Sequence, residues 1–225
     1  MVEKSDIYDI GYDEINKDEL IREIIHESKN SLSACEGFIQ FMLIKNEFNA
    51  EYLKIIQDEI KRTLSMLNSY ALISSPLQNT ECDINSCVAE ICTLISYNLK
   101  ANNINLDLHL SDLPLISVDK YRIKQVLLNI IENSIQSIEK NGVIKISTLY
   151  KDGYIIITIE DNGCGMDKSI MDRIFEPLFT TKPTGTGLGL HVCKNIINNY
   201  NGNICLESTP KKGTKFLITL PVASS

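Results

Sequence analysis

The chain has 225 residues, 44% hydrophobic and 23% charged, enough for one or two domains with a real apolar core. Its 29 acidic residues against 22 basic ones give a net charge of −7, which argues against an extended nucleic-acid surface. No run of about 18 apolar residues occurs and the start, MVEKSDIYDIGYDE, is acidic, so neither a membrane segment nor a secretory signal is expected in this chain.

Seven cysteines, an odd number with no CxxC pair, point to reduced thiols and a cytoplasmic setting. Cys82, Cys87 and Cys92 are spaced by five, which turns each by about 140° on a helix and builds no single ligand face. Residues 1–17 carry scattered apolar positions and read as a lead-in.

From Asp18 to Ile44 the apolar residues Ile21, Ile25, Leu32, Cys35, Ile39 and Met42, with Ser28 among them, recur at alternating spacings of four and three. After the polar segment NEFNAE, the series Leu53, Ile56, Ile60, Thr63, Leu67, Tyr70 and Ser74 repeats the pattern. Two such helices with a short loop predict an antiparallel hairpin over 18–76. Phe38, Phe41, Ile55, Leu64 and Ala71 lie off these stripes, and a second copy is their natural cover. The expectation is a four-helix bundle made by a homodimer through the hairpin.

His26 stands one step off the first stripe, turned by about 100° toward solvent. A surface His beside Glu27 is often without a role. Its neutral imidazole is also a nucleophile near pH 7, with a carboxylate beside it to orient the ring and hold a proton. Asn30, one turn on, shares its face.

Pro76 ends the second helix, residues 77–82 read as a linker, and Asp83-Ile84-Asn85 offers caps for a helix running to about Leu99. Ile104, Leu106, Leu108 and Leu110 alternate as a strand, with His109 on its polar side. Lys120–Glu139 is the next helix. Its core face is Ile123, Val126, Leu127, Ile130, Ser134 and Ile138, and its opposite face carries Gln125, Asn129, Asn133 and Gln136. Uncharged amides at this spacing suit either an ordinary surface or a Mg²⁺ site beside a polyphosphate, where carbonyl oxygens ligate without adding negative charge.

Val143–Tyr150 and Tyr154–Glu160 read as two strands around the tight turn Lys151-Asp152-Gly153. The second delivers Asp161, whose carboxylate can accept a hydrogen bond from an adenine amino group, while Gly163 and Gly165 let the backbone come close. A short helical run, a Thr-rich loop and TGTGLGL follow. The glycines suit an anion, but a P-loop would need Lys after them and a dinucleotide fingerprint would need GxGxxG directly after a strand. Gly187–Tyr200 reads as a helix, and Asn203–Glu207 and Lys215–Leu220 as the closing strands, with Gly213-Thr214 at the entry of the last.

Five separated boxes agree in order. HESKNSL at 26–32, NIIENS at 129–134, DNGCGM at 161–166, FEPLFTTK at 175–182 and GTGLGL at 185–190 resemble the H, N, first glycine, F and second glycine boxes of two-component sensor histidine kinases. GTKFLITLP at 213–221 resembles the family's closing strand, and the style is that of kinases from spore-forming Gram-positive bacteria. The resemblance implies an α+β protein, in which a phosphotransfer hairpin precedes an ATP-binding α/β two-layer sandwich of the Bergerat fold with a mixed sheet, over 83–222. It implies ATP and Mg²⁺ as cofactors and a response regulator receiver domain as partner.

Residue by residue, the resemblance makes His26 the phosphoacceptor, Glu27 its acid/base partner, and Asn30 the residue that positions water for regulator dephosphorylation. It makes Asn133 the Mg²⁺ ligand with Asn129 beside it, and has Asp161 read adenine with help from Thr214. Gly163, Gly165, Gly185, Gly187 and Gly189 would shape the pocket and lid, and Lys182 would face the terminal phosphates. Asn129 cannot act as the base that a Glu supplies in gyrase-like ATPases and anti-sigma-type serine kinases. The alternatives are such a serine kinase, or a non-catalytic or phosphotransfer-only regulator-binding protein using nucleotide as a conformational ligand. Ser28 and Ser31 depart from the family, Ser31 standing where most relatives have Pro.

Overall fold

A computed structural model describes residues 17–182 and 185–222. The described chain divides into two compact units, one of 17–75 with 176–189 and the other of 76–175 with 190–222.

In the first unit α1 (Lys17–Lys45) and α2 (Ala50–Ser74) form the expected hairpin. Asn46 adopts φ 52 just after α1, and Asn49 caps α2 by accepting from the Glu51 and Tyr52 amides. Ser75 is extended at ψ 151, as the residue before Pro76 must be.

The buried line between the helices keeps Ser28, Cys35, Ile56 and Thr63 of the expected stripes and takes its other members from one step to the side. Leu20, Ile24, Ser28, Ser31 and Cys35 of α1 and Ile56, Thr63 and Met66 of α2 are buried, whereas Ile25, Leu32, Ile39, Leu53, Ile60 and Leu67 are exposed. Each helix is apolar on two sides, so periodicity alone could not choose which side faces its neighbour. Ser31, in place of Pro, leaves α1 unbroken. Leu20, Ile24 and Met66 form a core with Leu188, against which Tyr70, Ile73 and Leu178 pack.

The second unit is a sandwich. β1 (Thr80–Cys82) pairs antiparallel with β3 (Ile116–Val118), so part of the expected linker is strand. α3 is Ile84–Ala101, capped by Asp83, and α4 is Lys120–Ser137, capped by Asp119. The main sheet runs β2-β4-β5-β7-β6, with β2 (Asn105–Leu110) parallel to β4 (Val143–Lys151) and all other pairs antiparallel. β5 is Tyr154–Asp161, β6 Asn203–Thr209 and β7 Gly213–Pro221. The β4–β5 turn has φ 52 at Asp152 and φ 83 at Gly153, the left-handed pair that matches strand twist. α5 (Lys168–Met171) is short, and α6 is Gly189–Asn198.

One sheet face is a succession of cross-strand rows. Ile146, Ile159, Phe216 and Leu206 align, as do Ile157, Ile218 and Ile204, and all are buried. At the end of that face the row turns polar at Asp161, Thr214 and Ser208. The other face carries Asp107, Lys145, Glu160, Lys215 and Glu207 in one register row across all five strands, with alternating sign.

Candidate functional site

The polar end of the sheet is built around Asp161, which is 5% exposed. Its Oδ2 accepts from Ser134 Oγ at 2.9 Å. Its Oδ1 accepts from Ser137 Oγ at 3.1 Å, the Gly163 amide at 2.9 Å and the Thr214 amide at 3.3 Å. Four donors hold a buried carboxylate that would otherwise be costly to desolvate. Sequence reading placed Ser134 in the apolar core face of α4 and gave Ser137 no part. The available signal was a hydroxyl inside an otherwise aliphatic stripe, opposite a strand that ends in Asp.

Gly163 lies so close to Ser137 that a Cβ there would collide with its Oγ and carbonyl. Gly213, at φ 104, could not take a side chain either, because a Cβ would meet the Asp161 carbonyl. The backbone of two loops is thus brought against the carboxylate. Thr214 Oγ1 lies 2.9 Å from Ser208 Oγ, which also accepts from the Met166 amide at 2.9 Å.

On α4 the amide stripe is half-buried rather than solvated, at Gln125, Asn129 and Asn133. Gln125 Nε2 donates to Asn129 Oδ1 at 2.9 Å, and Asn129 Nδ2 donates to Cys193 Sγ at 3.7 Å. Burial pushes the Cys193 thiol up to about 12, so it stays protonated and points to the Val126 carbonyl at 3.8 Å. The donor set offers uncharged oxygens, which fits a Mg²⁺ that also takes phosphate oxygens and water. Among the described residues no cluster of three or more His, Cys, Asp or Glu could hold a metal.

In the hairpin unit, His26 is exposed and its Nδ1 lies 3.2 Å from Asn30 Nδ2, one turn on, so these two share a face as expected. Glu27 does not join them. Its Oε2 pairs with Arg62 Nη2 of α2 at 3.2 Å, because consecutive helical residues diverge by about 100° and Glu27 turns toward the hairpin partner. Arg62 Nε and Ser28 Oγ are buried and have no partner among the described residues. Lys182 is half-buried, its amide donating to Thr180 Oγ1 at 3.1 Å, and Gly185 and Gly187 follow in the same segment. Asn129, Asn133, Asp161, Gly163, Gly165 and Thr214 therefore belong to the sandwich unit, and His26, Glu27, Asn30, Lys182, Gly185, Gly187 and Gly189 to the other.

The strands β4 to β7 and the donors around Asp161 lie within residues 118–224, which match the family of histidine kinase-, DNA gyrase B-, and HSP90-like ATPases. The catalytic domain of histidine kinase ThkA is 31% identical with a TM-score of 0.60, covering 64% of this chain and 96% of that one. Sporulation kinase C of Bacillus subtilis (strain 168) is 33% identical over 210 residues, covering 92% of this chain and 49% of that protein. The chain belongs to the histidine kinases, and its sandwich has the Bergerat fold. It spans about half the length of the curated relatives it matches. A further similar structure is histidine kinase ThkA in complex with response regulator protein TrrA, 27% identical with a TM-score of 0.74, covering 91% of this chain and 61% of that one. No described helix is long and apolar enough to cross a membrane.

Proposed function

We propose that this chain is the catalytic core of a sensor histidine kinase that phosphorylates itself on His26 from ATP and passes the phosphoryl group to an Asp of a separate response regulator. The observation that carries the reading is the buried Asp161 carboxylate with its four donors, at the end of a sheet whose relatives are histidine kinase catalytic domains. The domains follow from it, with 18–76 for phosphotransfer and 83–222 for nucleotide. We assign the chain to the cytoplasm, where its seven thiols stay reduced.

Asp161 reads the adenine amino group, with Thr214 beside it, and Gly163 and Gly165 keep the wall narrow. Asn133, supported by Asn129, would hold Mg²⁺, which would neutralise phosphate charge. Gly185 and Gly187 shape the lid, Gly189 opens the helix after it, and Lys182 faces the terminal phosphates. In the transfer, a ring nitrogen of His26 attacks the γ-phosphorus, the bond to the β-phosphate bridging oxygen breaks, and ADP leaves with that electron pair.

The ring proton has to go to a base, and Glu27 is the adjacent carboxylate. It reaches the imidazole only by leaving Arg62. Asn30 sets the tautomer. With Nδ2 toward Nδ1 it keeps the ring proton on Nε2, and with the amide turned over, Oδ1 accepts from Nδ1–H and frees the Nε2 lone pair.

The partner of the hairpin is a second copy. Ile25, Leu32 and Ile39 on α1 and Leu53, Ile60 and Leu67 on α2 are exposed at intervals of seven, a seam that a homodimeric four-helix bundle would bury. The response regulator is inferred from the relative solved with one.

Incubation with labelled Mg-ATP tests the proposal. Acid-labile, alkali-stable phosphate that disappears in His26→Ala is expected. Absence of label would leave only a nucleotide-responsive binding protein, and label undiminished in that variant would put the acceptor elsewhere and sink the His26 assignment.

A further inference from the structure

α6 begins where the 176–189 segment ends, and its first turns carry side chains that the reading above does not use. His191 is 4% exposed. Its Nδ1 lies 3.2 Å from the Phe175 carbonyl oxygen, and its Nε2 lies 2.8 Å from Asn195 Nδ2. The amide nitrogen only donates, so Nε2 accepts and the ring proton sits on Nδ1, where it donates to Phe175. Asn195 Nδ2 also donates to the His191 carbonyl at 3.2 Å, which fixes the orientation of the amide.

A second group on α6 holds the same residue from another side. Lys194 Nζ stands 5.7 Å from the centroid of the Phe175 ring. Asn203 Oδ1 at 3.2 Å and the Ile204 carbonyl at 3.4 Å accept from that ammonium, so the cation is tethered to β6. Phe175 itself is 5% exposed.

Phe175 is the residue before the 176–189 segment and His191 lies just after it. We propose that His191, oriented by Asn195, and Lys194 are positioning residues that clamp the base of the nucleotide lid, holding the residue that enters the lid against the helix that leaves it. The proposal rests on reading 176–189 as the lid of an ATP site. Pinned ends lower the number of conformations open to the loop, so the lid meets nucleotide with less ordering still to be done. Without the clamp, nucleotide affinity falls while the chemistry at His26 is untouched. Burial lowers the pKa of His191, with the Phe175 carbonyl opposing, so the neutral clamping form is the one that persists near neutral pH.

Hydrogen exchange on the whole chain without nucleotide tests the clamp directly. In His191→Leu, amide exchange over 176–189 should rise by roughly fivefold, the weight of one buried hydrogen bond, with exchange in β4 and β5 unchanged. Lys194→Met should raise it by about threefold. In autophosphorylation the KM for Mg-ATP should rise with kcat less affected. His191→Asn, which keeps a donor near the Nδ1 position, should return both readouts toward the parent.

Unchanged lid exchange in a folded His191→Leu protein overturns the clamp. So does acceleration spread evenly over the sandwich, or an Asn variant no better than Leu. If the parent chain fails to bind a fluorescent ATP analogue, the nucleotide reading falls, and the exchange measurement still decides the clamp.

Discussion

The two units of this chain are finished to different degrees. In the sandwich, Ile144, Ile146, Ile155, Ile159, Ile130, Ile131 and Ile218 are fully buried, the one deeply buried carboxylate has four donors, and no buried side-chain polar atom among the described residues lacks a partner. The hairpin leaves Ile25, Leu32, Ile60 and Leu64 about half exposed and holds both of the buried orphan atoms, Ser28 Oγ and Arg62 Nε. A unit that satisfies its own apolar and polar groups has a shape set by itself, whereas one that does not has a shape set with a partner. The sandwich is built to be rigid, and the hairpin, which carries His26, is built to be completed by another surface.

The sharpest test of that division is His26→Gln. It should abolish acid-labile phosphate while leaving binding of a fluorescent ATP analogue unchanged. Loss of both would mean that the two halves are not separable in function.

Asp161→Leu should strike the other half. It leaves Ser134 and the Gly163 and Thr214 amides without their acceptor and Ser137 with only the Ser134 carbonyl, costing the sandwich about 3 kcal/mol in urea unfolding and removing nucleotide binding. Leu32→Lys should convert the proposed dimer to monomer in sedimentation, since a buried Leu is worth about 2 kcal/mol and each dimer would lose two. The melting of the sandwich should not move, and a shift there would blur the contrast between the units.

A weaker effect comes from pH. His191 is held neutral by burial, so its folded pKa lies below the ordinary 6.5. The unfolded chain then binds the proton first as pH falls. Stability should be full above about 6.5 and decline as pH drops through the folded value, and His191→Asn should flatten that decline in melts across pH. The charged groups nearest in the chain are Lys194 on α6 and Arg173 and Glu176 on either side of Phe175.

The smallest effect belongs to the charge row on the open sheet face. Lys145→Glu puts a third acid between Asp107 and Glu160 and should cost about 0.5 kcal/mol, shrinking in high salt.

How much of this was legible follows from the length scale of each signal. The hairpin turn at Asp152-Gly153, the alternating strands and the glycine boxes are written within ten residues or so, and they appear where the sequence placed them. β1 and β3 have three residues each, too few for any periodicity to register. Glu27 stands beside His26 in sequence, whereas its ion-pair partner in the structure, Arg62, lies on the other helix, beyond the reach of any local pattern. The choice between the Leu20–Ile24 and Ile21–Ile25 flanks depended on what each helix packs against, which no window on one helix contains.

The strand order carries a consequence for how the protein is made. β7 is the last strand of the described chain, yet it lies between β5 and β6, and its Thr214 supplies the final amide to Asp161. A nascent chain that has not yet delivered residues 213–221 holds β6 with no neighbour in the sheet and a carboxylate short of one donor. A stalled or clipped product ending before Gly213 therefore exposes two strand edges, a substrate for quality control.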